Sequence, residues 1–172
     1  MTVLEEYRRG KDAWFKSSPD SPLPPGEREH FIGLNYYPEN PDLRLIITPE
    51  PFAEQEPIRM TTSTGGTQDY LRWGRFHFVV DGQPAALTVY YASWGDYFVP
   101  FADTTSGGET YGAGRYLELD QRGDGTFLAD FNLAYNPYCA YSDEYSCPIP
   151  PAENRIAVPI RAGEKLYQAH EI

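Results

Sequence analysis

The chain opens on a helical spacing of apolar residues and then changes to a strand spacing. Within residues 2–16, Val3, Leu4, Tyr7, Trp14 and Phe15 fall where they build one apolar stripe on a helix. Thr2 and Glu5 supply the T-x-x-E capping box that starts such a helix, and Gly10 weakens its middle. The run SSPDSPLPPGE stops it. Residues 26–32 have room for one more helical turn, and GLNYYPENPD is a turn-rich connection. From residue 43 onward the apolar period is two, the period of a strand with one buried face.

The strongest local signal is YLRWGRFHFVV–DG–QPAALTVYYAS. Asp-Gly between two runs of β-formers is the dipeptide of a two-residue type I′ turn. With Asp81 and Gly82 as the loop, Val80 stands opposite Gln83, Phe78 opposite Ala85 and Phe76 opposite Leu87, on an apolar face. Trp73, Arg75 and His77 fall on the other face, opposite Tyr90, Thr88 and Ala86. Further strands are predicted at 43–48, 58–62 and 97–101, with TSTGGTQ as a hairpin turn and DTTSGGETYGAG as a glycine- and threonine-rich loop. GRYLELD and TFLADFNL flank QRGDG as a second hairpin, and NRIAVPIR reads as a last strand with Pro159 at an edge. A helix followed by seven to nine antiparallel strands predicts a mainly β protein, a barrel or a sandwich. With no internal repeat and no linker, residues 1–172 read as one domain, in which segment 1–33 packs on 34–172.

Composition narrows the function classes. Hydrophobic residues make up 41% of the 172, and aromatics 15%, which excludes a disordered chain. No apolar run is long enough for a membrane-spanning helix. The opening MTVLEEYRRGKD has no apolar core of a secretory signal, so a cytoplasmic location is expected. A net charge of −11 argues against nucleic acid and against an anionic membrane surface. The pattern implies no cofactor and sets no oligomeric state. Three scattered histidines give no metal-ligand spacing, and the phosphate-loop, dinucleotide and hydrolase motifs are missing. Cys139 and Cys147 are separated by seven residues, not the two of a redox or zinc motif, so inert thiols or a local clip are both open.

Candidate chemistry gathers between residues 103 and 155. Alternation puts Arg115 on the face of Leu117 and Leu119, and a guanidinium on a core face needs a partner because it keeps its charge. That partner is either a carboxylate of the preceding loop, Asp103 or Glu109, or an anionic or carbonyl-bearing ligand. Asn132 falls on the strand face opposite Phe131, and Asn136 before Pro137 is a turn initiator. The segment AYNPYCAYSDEYSCPIPPAENR, residues 134–155, reads as a proline-locked loop closing one end of the β scaffold with tyrosines at its rim. Beneath it a pocket is expected, with Arg115, Glu109, Asn132, Asn136 and Tyr138 as ligand-binding residues. The first reading is therefore a binding protein for a small polar or anionic molecule. A second is a structural or interaction domain with Arg115 in an internal ion pair. A third is a hydrolase with Glu109 or His77 as base or Cys139 as nucleophile; no nucleophile–base pair is visible in the sequence.

The segments FADTTSGGETYGAGRYLELD, DFNLAYNPYCAYSDEYSCPIPPAEN and IRAGEK resemble the bacterial and archaeal family called domain of unknown function 1684. KDAWFKSSPDSPL and FIGLNYY resemble that family's opening, so the likeness spans nearly the whole chain. It implies a single compact domain, and it supplies no activity and no catalytic residues.

Overall fold

The computed structural model describes residues 1–167. Helix α1, Val3–Ser17, starts where the capping box predicts: Glu5 N–H donates to Thr2 Oγ1 at 3.1 Å and Thr2 N–H to Glu5 Oε2 at 3.0 Å. The stripe is divided, however. Leu4 and Phe15 are buried, while Val3, Tyr7 and Trp14 stay exposed. The helix docks largely through polar groups. Arg8 donates to Tyr37 O at 2.8 Å, and Asp12 accepts from Leu34 N–H at 3.1 Å and from the Tyr36 hydroxyl at 2.9 Å. A short turn of helix, α2 (Pro25–Arg28), follows. Phe15, Leu23, Phe31 and Leu34 form a satellite core with Ala140, Tyr141 and Tyr167.

Seven strands form one antiparallel sheet: β1 Arg44–Ile47, β2 Glu50–Thr61, β3 Thr67–Val80, β4 Gln83–Tyr91, β5 Tyr97–Phe101, β6 Arg115–Gln121 and β7 Phe127–Asp130. Their order is β1-β7-β6-β5-β4-β3-β2. Strands β2 to β7 therefore run as a meander, and β1 adds to the far side of β7. Only residues 48 and 49 separate β1 from β2, which lie at opposite ends of the sheet. So short a link spans about 10 Å, so the sheet has to curl until its ends approach. The result is a curled half-barrel, as the strand pattern predicts.

The Asp81-Gly82 turn has positive φ at both residues, 50° and 79°, as a type I′ turn demands. It sets Val80 opposite Gln83, Phe78 opposite Ala85 and Phe76 opposite Leu87. Further along, the register shifts between Arg72 and Gly74, so that Arg72 and not Trp73 stands opposite Tyr90. The bulge turns Trp73 toward the core, where it packs edge-on against Tyr97 and Phe127. The concave core holds Phe76, Phe78, Leu87, Val89, Val99, Phe101, Leu117, Leu119, Phe127 and Phe131.

Segment NRIAVPIR is not a strand. It makes one isolated bridge, Arg155 to Ala102, and buries Val158 and Ile160 as an irregular strap against the loop that follows β5. The strap ends at Gly163, where φ is +80° and an added Cβ would lie 2.6 Å from Ala134 O and 2.7 Å from Phe131 O. Gly163→Ala therefore carries a left-handed backbone cost of about 1–3 kcal/mol before any clash is relieved. Urea unfolding should show a lower midpoint with an unchanged slope.

Candidate functional site

Arg115 is 0% exposed. Strand alternation aims it into the half-barrel, where its guanidinium meets backbone more than side chain. Nη1 donates to Ala162 O at 2.6 Å and Glu164 O at 3.1 Å; Nη2 donates to Ile160 O at 2.7 Å and reaches Asp103 Oδ2 at 3.5 Å. The Phe101 ring covers it at 5.2 Å. Asp103 also accepts from Ile160 N–H and from the Thr105 hydroxyl. The partners are thus a loop carboxylate with donors of its own and three backbone carbonyls between Ile160 and Glu164, which without Arg115 would lose their donor in a buried place.

Glu164 carries this anchor outward. Its carboxylate is buried, accepts from Asn136 N–H at 3.1 Å and the Tyr141 hydroxyl at 2.9 Å, and forms an ion pair with Lys11 of α1. Lys11 lies at the base of a cleft of about 660 Å³ between α1 and the loop after β7. Glu6, Tyr7, Gly10, Trp14 and Phe15 line it on the helix side, and Glu118, Tyr135 and Tyr138 on the other. The helix residues recur at spacings of three and four, so they form a single face.

The cleft lies on the convex face of the sheet. Glu118 alternates with Leu117 and Leu119, so it points away from the core that holds Arg115. Segment 134–155 runs over that same convex face rather than across a barrel end. Tyr135 adds a rung to β6, exchanging backbone bonds with Tyr116 at 2.8 and 3.0 Å. Tyr116, Phe98 and Tyr70 pack beneath Cys147, Cys139 and Tyr145. The rung brings the Tyr135 hydroxyl onto the Glu118 carboxylate. Burial raises the pKa of Glu118, while the phenol bond opposes that shift.

The five residues expected at a ligand pocket are dispersed. Tyr138 lines the cleft. Asn136 is buried beside it, donating to Lys165 O at 3.1 Å and to the Tyr141 hydroxyl at 3.3 Å. Arg115 lies inside the half-barrel. Asn132 is buried in a reciprocal clasp with Asn40, accepting from its N–H at 2.8 Å and donating to its carbonyl at 2.9 Å. Glu109 is at the surface, accepting from the Tyr37 hydroxyl at 2.8 Å and pairing with Arg161 at 3.5 Å; the Tyr37 bond holds its carboxyl below the usual range. His77 is exposed on the convex face of β3, and His170 lies outside the described residues.

Cys139 and Cys147 are free thiols joined by hydrogen bonding, with Cys139 N–H donating to Cys147 Sγ at 3.2 Å. The bond from Cys147, helped by Tyr111, pulls the Cys139 thiol down to about 6 against burial, and Cys147 is pushed up correspondingly. Sequence reasoning passed over Lys11, Gly10, Glu118, Tyr135 and Glu164. Gly10 carried a signal, as a glycine in the middle of an otherwise capped helix.

An antiparallel half-barrel, strapped from inside by one arginine and covered outside by a tyrosine-rich loop, defines the class of this protein. The family model described as "Protein of unknown function (DUF1684)" matches residues 29–165, and the chain belongs to that family. The chain is also similar to a solved structure, the uncharacterized protein from gene locus rrnAC0354 of Haloarcula marismortui, determined by solution NMR. Identity is 38%, the match covers 94% of this chain and 91% of that one, and the TM-score is 0.72. No curated protein matches. No helix among the described residues is long and apolar enough to cross a membrane.

Two measurements test the anchor and the cleft. Arg115→Met leaves the buried Asp103 carboxylate without a counter-charge and takes the donor from three carbonyls, and unfolding free energy should fall by about 3–5 kcal/mol in urea titration. Glu118 has a raised folded pKa. Its contribution is therefore fully present below the unfolded carboxylate value and is lost as pH rises through the folded one. Glu118→Gln removes that loss. Its melting temperature should match wild type in acid and exceed it near neutral pH.

Proposed function

We propose that this protein binds a small organic molecule in the cleft between α1 and segment 134–141. The observation that carries the reading is Gly10. A glycine inside a helix costs about 0.5–1 kcal/mol relative to alanine. A Cβ built on Gly10 meets nothing within 4 Å, so no packing inside the protein calls for a glycine there. What the missing side chain leaves is open space in the wall of the cleft. Aromatic walls with a few polar groups are the usual make-up of a small-molecule site. In this reading Tyr138 touches the ligand. Asn136 acts from behind it through the Glu164 carboxylate that fixes Lys11, and Arg115 through the backbone carbonyl of the same residue.

The test is a fragment screen by protein-observed NMR on wild type and Gly10→Leu. Leucine is the better helix former by about 0.8 kcal/mol and projects into the cleft, so the variant should melt no lower than wild type. Hits on wild type should shift Trp14, Tyr135 and Tyr138 resonances and vanish in Gly10→Leu. Hits that map elsewhere, or that bind Gly10→Leu equally well, reject the cleft as the site.

A further inference from the structure

Resting on the cleft as the binding site, we propose that its ligand is an organic ammonium: an amine, protonated or quaternary, carried on an apolar or aromatic body. Five of the nine lining residues are aromatic: Tyr7, Trp14, Phe15, Tyr135 and Tyr138. Ring faces attract cations, and most strongly where water is excluded. The protein already uses this attraction at the base of the cleft. The Lys11 ammonium sits 5.1 Å from the Tyr135 ring centroid and 5.9 Å from that of Phe15.

The charge balance of the cleft points the same way. Its lining holds two carboxylates, Glu6 and Glu118, and one cation, Lys11. The charge of Lys11 is matched by Glu164, which lies outside the lining. Among the described residues no ion pair joins Glu6 or Glu118 to a cation. Glu118 accepts from the Tyr135 hydroxyl, a neutral donor. The negative charge facing the cleft is therefore the uncompensated one, and an anionic ligand would be repelled by it. Lys11, paired to Glu164, reaches Glu118 only as a more distant charge, and an ammonium beside Glu118 would supply the contact counter-charge that the half-buried carboxylate lacks. The −11 net charge of the chain adds a long-range pull on cations. A bare metal ion is the poorer fit, because hard cations want several oxygens and this wall is mostly carbon.

The probes are three molecules of one shape: 2-phenylethylammonium, 2-phenylethanol and phenylacetate. Each is titrated into wild type and Glu118→Gln, with dissociation constants read from the Trp14 and Tyr135 resonances. The ammonium should bind wild type about tenfold tighter than the alcohol, with the acid weakest. In Glu118→Gln the ammonium-to-alcohol ratio should fall toward one. Glu6→Gln, on an exposed helical turn, should lower the ratio less and serves as the second variant if Glu118→Gln does not fold. An alcohol or acid that binds as tightly as the ammonium overturns the inference, as does a ratio that Glu118→Gln leaves unchanged or a failure of all three probes to bind. The Gly10→Leu screen separates this failure from that of the site itself. Neutral or anionic hits that need the open Gly10 wall would keep the cleft and reject the cation.

Discussion

A guanidinium that cannot lose its proton, held where no water reaches it, has to be given acceptors by the chain around it. Arg115 is in that position, and the C-terminal part of the fold is arranged to meet it. The carbonyls of Ile160, Ala162 and Glu164 all turn toward one side chain. Carbonyls two residues apart point to the same side of a strand but lie about 6–7 Å apart, so for three of them to meet one guanidinium the chain from Ile160 to Glu164 has to bend out of a ladder. NRIAVPIR, for all its alternating apolar residues, leads into that bend as a strap with one isolated bridge. Gly163 is required directly after it, because the chain must turn left-handed against the carbonyls of Phe131 and Ala134.

The same anchor links the two faces of the sheet. Arg115 holds the backbone of Glu164 on the concave side, and the Glu164 carboxylate reaches Lys11, Asn136 and Tyr141. Helix α1 and the tyrosine loop are thus referred to one buried charge system, and the cleft is the gap between them. Because Glu164 matches Lys11, the carboxylates of Glu6 and Glu118 dominate the charge that faces the cleft. Helix α1 buries only Leu4 and Phe15. Its position therefore depends on these polar contacts more than on hydrophobic area, and its aromatic flank, Tyr7 and Trp14, is left to the cleft.

Local interactions were legible in advance. The Thr2–Glu5 capping box, the Asp81-Gly82 turn and the pairing of Phe76 and Phe78 with Leu87 and Ala85 depend on neighbours a few residues away or on the period of two. The burial of Arg115 followed from the same alternation. Asp103 was one of its two candidate carboxylate partners, but the three carbonyls were not foreseen, since carbonyls carry no residue identity and any segment can present them. Asn132 and Asn136 were visible as polar residues near turns. That one would clasp Asn40 and the other Lys165 depends on contacts 92 and 29 residues apart. The bulge at Trp73 was hidden because one extra residue in a strand leaves its composition unchanged.

Residue order alone settled the helix, a run of antiparallel strands, the core face of the Asp81-Gly82 hairpin up to its bulge and the presence of a buried cation, because those follow from spacing and from charge that cannot be shed. The fold settled where the chain's chemistry meets. Glu118 and Leu117 are neighbours in sequence but face opposite sides of a sheet. Lys11 and Glu164 stand at the two ends of the chain and form one ion pair. Gly10 weakens a helix when read along the chain and opens a cleft when read in space, because only packing shows that nothing in the protein fills the place of its missing side chain.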